Sequence, residues 1–314
     1  MIELQNIIRI YDGRKVVDDV SAHFARGTLT AIVGSSGSGK TTLLRMINRL
    51  VLPSAGRVLI EGRDISHIPP VRLRQSIGYV IQDHGLFPHW TAARNIGVVP
   101  SLLGWPKAQI RARVDELMQM LQLDPALIGP RFPHQLSGGQ AQRIGVARAL
   151  AARPELLLMD EPFGALDPLI RGQAQRDLAR IRRQSGTTIV LVTHDMNEAL
   201  SLADTVAVMR KGRFEQFGPP EQIIRAPATP FVADLIGRSD RALRLLGLQP
   251  LTPLLRPGQA PGPALAHDVS LAEALAQMIW TGCERMEVTD AQGRALGVVE
   301  RADILAAGRG DDAQ

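Results

Sequence analysis

Residues 28–50 read "TLTAIVGSSGSGKTTLLRMINRL". A short apolar run (28–33) leads into a glycine-rich loop (34–41), and a segment with helical spacing follows at once. Strand, loop, helix is the context in which Gly, four residues and Gly-Lys-Thr act as a phosphate loop. Its glycines let the N–H groups of Gly34, Ser35, Ser36, Gly37, Ser38 and Gly39 converge on phosphate oxygens. The helix start adds partial positive charge there. Lys40 brings a full charge to the β and γ phosphates, and the Thr41 hydroxyl, followed by Thr42, is placed for Mg²⁺. ATP and Mg²⁺ are therefore the expected ligands.

Further strands flank this unit. "RVLIEG" (57–62) and "SIGYVIQD" (76–83) read as strands. "ELLLMDEP" (155–162) and "TTIVLVTHD" (187–195) are continuous apolar runs, as expected of strands covered on both faces. Between them, "KAQIRARVDELMQMLQL" places Ile110, Val114, Leu117, Met118 and Leu121 on one helical face. "VAVMRKGRFEQFG" (206–218) reads as a hairpin turning at Lys211-Gly212. Strands alternating with helices predict an α/β fold with a largely parallel sheet.

In such a sheet, ligands sit at the carboxyl ends of the strands. Asp160 and Glu161 end one apolar run. Asp160 is then placed to hold Mg²⁺ through its water shell, and Glu161 to serve as general base toward a water at the γ-phosphate. His194 ends a second run and either hydrogen-bonds the γ-phosphate or orients the attacking water. Gln82 ends a third, where its amide oxygen reaches Mg²⁺ or water. Tyr11, one of two tyrosines, lies upstream of the phosphate loop at an expected strand end and either stacks on adenine or packs in the core.

A second anion site is written in "RFPHQLSGGQAQR" (131–143). Ser137 suits the cap of a helix, and Gly138 and Gly139, followed by Gln140, leave room for a bulky anion. One γ-phosphate cannot easily be wrapped by two such helix starts on different lobes of one chain. Two copies facing head to tail would pair the phosphate loop of one with "LSGGQ" of the other, giving two equivalent sites with C₂ symmetry.

The chain has 314 residues, 45% hydrophobic, enough for one large domain and a small one. The net charge of +5 comes from arginines interspersed with acids, so no nucleic-acid partner is expected. Cys283 is the only cysteine, which excludes an internal disulfide and points to a reducing compartment. No apolar run reaches the roughly 18 residues of a membrane span.

Together these motifs resemble the ATP-binding subunits of ABC transporters over residues 1 to 240. "GSSGSGKTT", Gln82, "LSGGQ", "LLLMDEP", "GALD" (164–167) and "VTHD" stand in family order. The resemblance implies a P-loop NTPase fold of the ABC ATPase type: a mixed, largely parallel sheet core, an antiparallel β subdomain and a helical subdomain. It gives Tyr11 the role of adenine-stacking aromatic and Asp167 a place at the dimer interface. It implies that "QDHGLFPHWTAARNI" (82–96) meets a transmembrane permease. Ala141 and Gly164 stand where the family more often has Gln and Ser, and Arg94 where many members carry an acid. A homodimer of ATPase subunits at the cytoplasmic face of the inner membrane, bound to permease subunits and served by an extracytoplasmic solute-binding protein, is the implied assembly.

"RNIGVVPSLLGWPKAQIRARVDELM" and "FVADLIGRSDRALRLLGL" look most like importers of glycine betaine, carnitine and choline; an importer of another solute, such as an amino acid, is the alternative. A soluble ABC ATPase acting on nucleic acid lacks support, having no coiled-coil, zinc or tandem insertion here, and a phosphate-loop kinase would leave "LSGGQ" unexplained. The ATP-binding domain is expected over 1–237. A Pro- and Gly-rich stretch, "LQPLTPLLRPGQAPGP" (248–263), marks a linker over 238–263. Residues 264–314 resemble a single CBS (cystathionine-β-synthase-type) motif, a small α/β unit whose partner motif would come from the second subunit.

Overall fold

The computed structural model describes residues 1–82, 85–164, 166–237 and 239–309. Asp83 and His84 of the expected permease-facing segment, Ala165 of "GALD" and Arg238 at the expected boundary lie outside them. The chain divides into two compact units, Met1–Phe217 and Gly218–Gln314.

The first unit opens with β1 (Ile2–Tyr11), β2 (Arg14–Phe24), β3 (Leu29–Val33) and α1 (Lys40–Ile47). Then come β4 (Ala55–Ile60), β5 (Arg63–Asp64), α2 (Pro70–Gln75) and β6 (Ile77–Val80). A helical stretch follows: α3 (Ala92–Ile96), α4 (Val98–Leu102), α5 (Lys107–Met120), α6 (Pro125–Ile128) and α7 (Gly138–Leu150). The chain returns through β7 (Leu156–Asp160), α8 (Pro168–Ser185), β8 (Thr188–Thr193), α9 (Met196–Leu202), β9 (Thr205–Arg210) and β10 (Arg213–Gly218).

Two sheets result. β2-β1-β4-β5 is antiparallel, and Ile2, Leu4 and Ile7 of β1 are buried on its core side. Asp12 and Gly13, both at positive φ, close the β1–β2 hairpin as a two-residue turn requires. Lys211 and Gly212 do the same between β9 and β10, as the sequence predicts. The second sheet runs β10-β9-β3-β8-β7-β6, with β9, β3, β8, β7 and β6 mutually parallel. Every residue of β3, β7 and β8 is buried, which is what their unbroken apolar runs foreshadow.

Register now sets the site. Val33 of β3 pairs with Thr193 of β8, and Asp160 of β7 pairs with Val192. The ends of β3, β7 and β8 are therefore level, and Gly34, Glu161 and His194 follow them one residue on.

The second unit holds α10 (Pro220–Arg225), α11 (Pro230–Ile236), α12 (Arg241–Leu248), β11 (Leu265–Ala266), α13 (Leu271–Thr281), β12 (Arg285–Thr289), β13 (Ala295–Glu300) and α14 (Arg301–Ala307). β11 pairs parallel with β12, and β12 antiparallel with β13. Two differences from the sequence reading appear. The compact units divide after Phe217, ahead of residue 237. The Arg241 guanidinium, donating to Ile224 O and Arg225 O at 2.9 Å, fastens α12 to α10. The stretch 238–263, expected as a linker, is partly structured: α12 lies in it, and Leu246 and Leu251 pack with Leu265, Leu275, Met278 and Val288. Its prolines and glycines mark turns around a packed segment.

Candidate functional site

The glycines of the phosphate loop meet a steric demand. Gly34 has φ 155°, and a Cβ there would lie 2.0 Å from Met209 O; Gly39 has φ 104°, and its Cβ would lie 2.4 Å from Val16 O. At Gly37, φ 74°, a Cβ would meet open space. Lys40, 5% exposed, donates from Nζ to Gly34 O at 2.9 Å and Ser35 O at 3.1 Å, so its ammonium lies inside the loop. Burial pushes this ammonium below the ordinary lysine range, and the Glu161 and Asp160 carboxylates oppose the shift.

Two features test whether a triphosphate with a hard cation fits here. The Thr41 hydroxyl donates to Asp160 Oδ1 at 2.8 Å, joining two oxygen ligands of the kind Mg²⁺ prefers. The buried Ser38 Oγ, within the phosphate loop, has no hydrogen-bond partner among the described residues, an unmet demand that a phosphate oxygen would satisfy. The donor set fits both.

Around Asp160, 3% exposed, the structure adds residues the motif reading passes over. Tyr79 OH donates to Asp160 Oδ2 at 3.5 Å, and Arg45 Nη2 lies 3.6 Å from the same oxygen. Burial raises the Tyr79 hydroxyl, so it stays protonated as a donor. Arg45 follows Thr41 by four residues on α1 and shares its face, a signal present in the sequence.

Glu161 leaves β7 at φ 46°, a left-handed backbone rare for glutamate. Its N–H donates to Val192 O at 2.9 Å, fastening the turn to β8. Its Oε2 lies 3.0 Å from His194 Nδ1. Two expected site residues from different strands are thus in hydrogen-bond contact. Gln82 is exposed, two residues beyond β6 and next to the strand that carries Asp160. Tyr11 ends β1, 39% exposed, with the Arg9 guanidinium 4.2 Å above its ring centroid. Its exposure leaves a face for a flat partner and argues against the core-packing alternative.

Ser137 caps α7: its Oγ accepts from Gln140 N at 3.3 Å, and Gln140 Oε1 accepts from Ser137 N at 3.0 Å. This capping box leaves Ser137 and Gly138 exposed. The two glycines differ. Around Gly138 a Cβ would find open space, whereas at Gly139 it would lie 2.3 Å from Ile170 Cγ2 of α8. Packing within the chain already accounts for Gly139. Among the described residues, no hydrogen bond or ion pair joins 137–140 to the phosphate loop.

A model of the family described as "ABC transporter" matches residues 17–164. The glycine betaine uptake system ATP-binding protein YehX of Escherichia coli is 46% identical over 306 residues, covering 97% of this chain and 99% of that one. The chain belongs to the ABC transporter family. The glycine betaine/carnitine/choline transport ATP-binding protein OpuCA of Bacillus subtilis is 42% identical over 310 residues, 96% of this ABC protein and 78% of its relative. Among solved structures, a dimeric ATP-binding cassette bound to ADP and Pi superposes with a TM-score of 0.63 at 30% identity, over 70% of this chain and 99% of that one. The P-loop ABC ATPase fold, and with it ATP binding, follows for this chain.

Proposed function

We propose that this ABC ATPase hydrolyses ATP to drive import of a small quaternary amine such as glycine betaine, carnitine or choline. The observation that carries the reading is the meeting of Lys40, Thr41, Asp160, Glu161 and His194 at level strand ends, with the capped start of α7 left exposed.

The loop N–H groups and Lys40 hold the phosphates, and Tyr11 stacks on the adenine. Thr41, Asp160 and Gln82, the last just beyond β6, would hold Mg²⁺, which would supply charge neutralisation to the phosphates. Glu161 takes the proton of the attacking water, and His194, at 3.0 Å, keeps its carboxylate oriented. Ser137, Gly138, Gly139 and Gln140 of a second copy cover the γ-phosphate from the other side. Helix dipole and backbone donors then stabilise the charge that develops in transfer.

Permease contact is supported by a groove of about 340 Å³ lined by apolar side chains including Ile81, Phe87, Val98, Val99 and Leu102. Buried Asn95 holds the backbone of Phe87, one of the lining residues, accepting from Phe87 N and donating to Phe87 O, Trp90 O and Thr91 O. No described helix is long and apolar enough to cross a membrane. The proposed place, peripheral at the cytoplasmic face, rests on the relatives being ATP-binding subunits of transport systems. The names of the 42–46% identical relatives support the substrate class. Residues 264–314 serve as a CBS-like regulatory tail that pairs with its copy, a purely structural dimerisation tail being the alternative.

The test is Glu161→Gln in the chain reconstituted with its permease and binding protein. ATP should still bind and trap a closed dimer, while hydrolysis falls at least about a hundredfold. Hydrolysis at the wild-type rate would remove Glu161 from the role of base. In the wild-type complex, quaternary amines should stimulate ATPase activity; stimulation by other solutes alone would remove the substrate assignment.

A further inference from the structure

The turn after Glu161 and the turn that carries His194 are joined by one side chain. Arg171, at the end of the first turn of α8, donates from Nη2 to Leu166 O at 3.1 Å. Its Nη1 lies 3.6 Å from Asp195 Oδ2 and its Nε 3.9 Å from Glu198 Oε1. Leu166 belongs to the turn that begins at Glu161, since Gly164 N donates to Glu161 O and Leu166 N to Phe163 O. Asp195 follows His194 as the cap of α9, and Glu198 lies in the first turn of that helix.

Both partners of Arg171 are themselves fixed. Asp195 caps α9 by accepting from Asn197 N at 2.8 Å. Glu198, 4% exposed, accepts from Thr193 Oγ1 at 2.6 Å, and that hydroxyl accepts from Asp195 N at 3.0 Å. His194 therefore lies between two residues that each connect to Arg171, Asp195 through its Oδ2 and Thr193 through Glu198. The guanidinium suits this task because its fork offers several donors in one plane. One of them is slack: Nε is buried and has no hydrogen-bond partner among the described residues. A small approach of Glu198 would engage it.

We propose that Arg171 is a positioning residue for hydrolysis: it locks the Glu161–Asp167 turn to the His194–Asp195 turn and the start of α9, holding His194 against Glu161. The inference rests on the reading of Glu161 as base. Among the described residues, Arg171 makes no hydrogen bond or ion pair with the phosphate loop, so its loss acts on turnover and not on nucleotide affinity.

The experiment uses the full-length chain, with kcat and KM for ATP and the Kd of a fluorescent ATP analogue. Arg171→Met should lower kcat by about tenfold to a hundredfold, the scale of a misplaced reacting group. KM and Kd should stay within about twofold. Asp195→Asn cuts the same tie from the other turn while keeping a good cap, and should give the same signature. The double variant should lose less than the two single losses combined, because the Arg171–Asp195 contact is common to both. An unchanged kcat in either variant, a KM that rises while kcat holds, or additive losses in the double variant would overturn the proposal. If Arg171→Met does not fold, Asp195→Asn alone decides it by the same kcat and KM criteria. Wild-type turnover that survives Glu161→Gln would overturn the base assignment and leave the Arg171–Asp195 coupling readable, so the two failures are distinct.

Discussion

At the scale of single residues, backbone conformation decides what the site tolerates. Gly39 combines φ 104° with a carbonyl 2.4 Å from where a Cβ would stand. Gly39→Ala should cost about 1–3 kcal/mol through strain alone, and the shift of β2 at Val16 should abolish ATP binding although Lys40 and Thr41 remain. Gly37, with φ 74° and open space, should lose only about 1 kcal/mol as alanine. Thermal melts with and without ATP would separate the two. The need for glycine at residues 34 and 39 is legible in the motif; its cause is not, because Met209 O and Val16 O come from distant parts of the chain. The Glu161 left-handed turn is likewise invisible in "MDEP", since glutamate has no preference for it.

At the scale of elements, α7 shows how one motif serves two ends. The capping box of Ser137 and Gln140 closes the helix start by local geometry, and is readable from spacing. The other end of α7 carries Arg148, whose Nη1 donates to Gly85 O at 2.5 Å, tying the signature helix to the segment after Gln82. That tie joins residues too far apart in sequence for any spacing rule. A carboxylate in the first turn favours a helix, so Gly138→Asp should leave the chain as stable as before, within about 0.5 kcal/mol. It should spare ATP binding by one chain yet abolish dimer closure and hydrolysis, because the new charge would face the partner's phosphates. Light scattering with ATP and an ATPase assay would check this; a monomeric variant with full activity would refute the two-copy site.

For the whole molecule, the division after Phe217 changes how the tail should be tested. A cut near Gly247 would strip Leu246 of Leu251, Leu275 and Met278, the core it packs in, and leave amphipathic α12 exposed. Ending the chain after Phe217 removes that unit entire. If the tail is regulatory, this deletion should leave the basal ATPase rate within about twofold while flattening the dependence of transport on ionic strength in proteoliposomes. An unchanged dependence with intact assembly would leave the tail a structural element. The sequence by itself determined the family, the strand–loop–helix around the phosphate loop, the apolar strands that end at Asp160 and Thr193, and the capped start of α7, because these rest on short-range spacing: glycines, caps, and apolar runs ended by acids or histidine. Only the tertiary structure decided that the Val33–Thr193 and Asp160–Val192 registers bring Glu161 to His194, and that Arg171 spans the turns beyond them. Parallel strands are paired through long crossovers, so their register is a property of the packed sheet and is written in no single stretch of the chain.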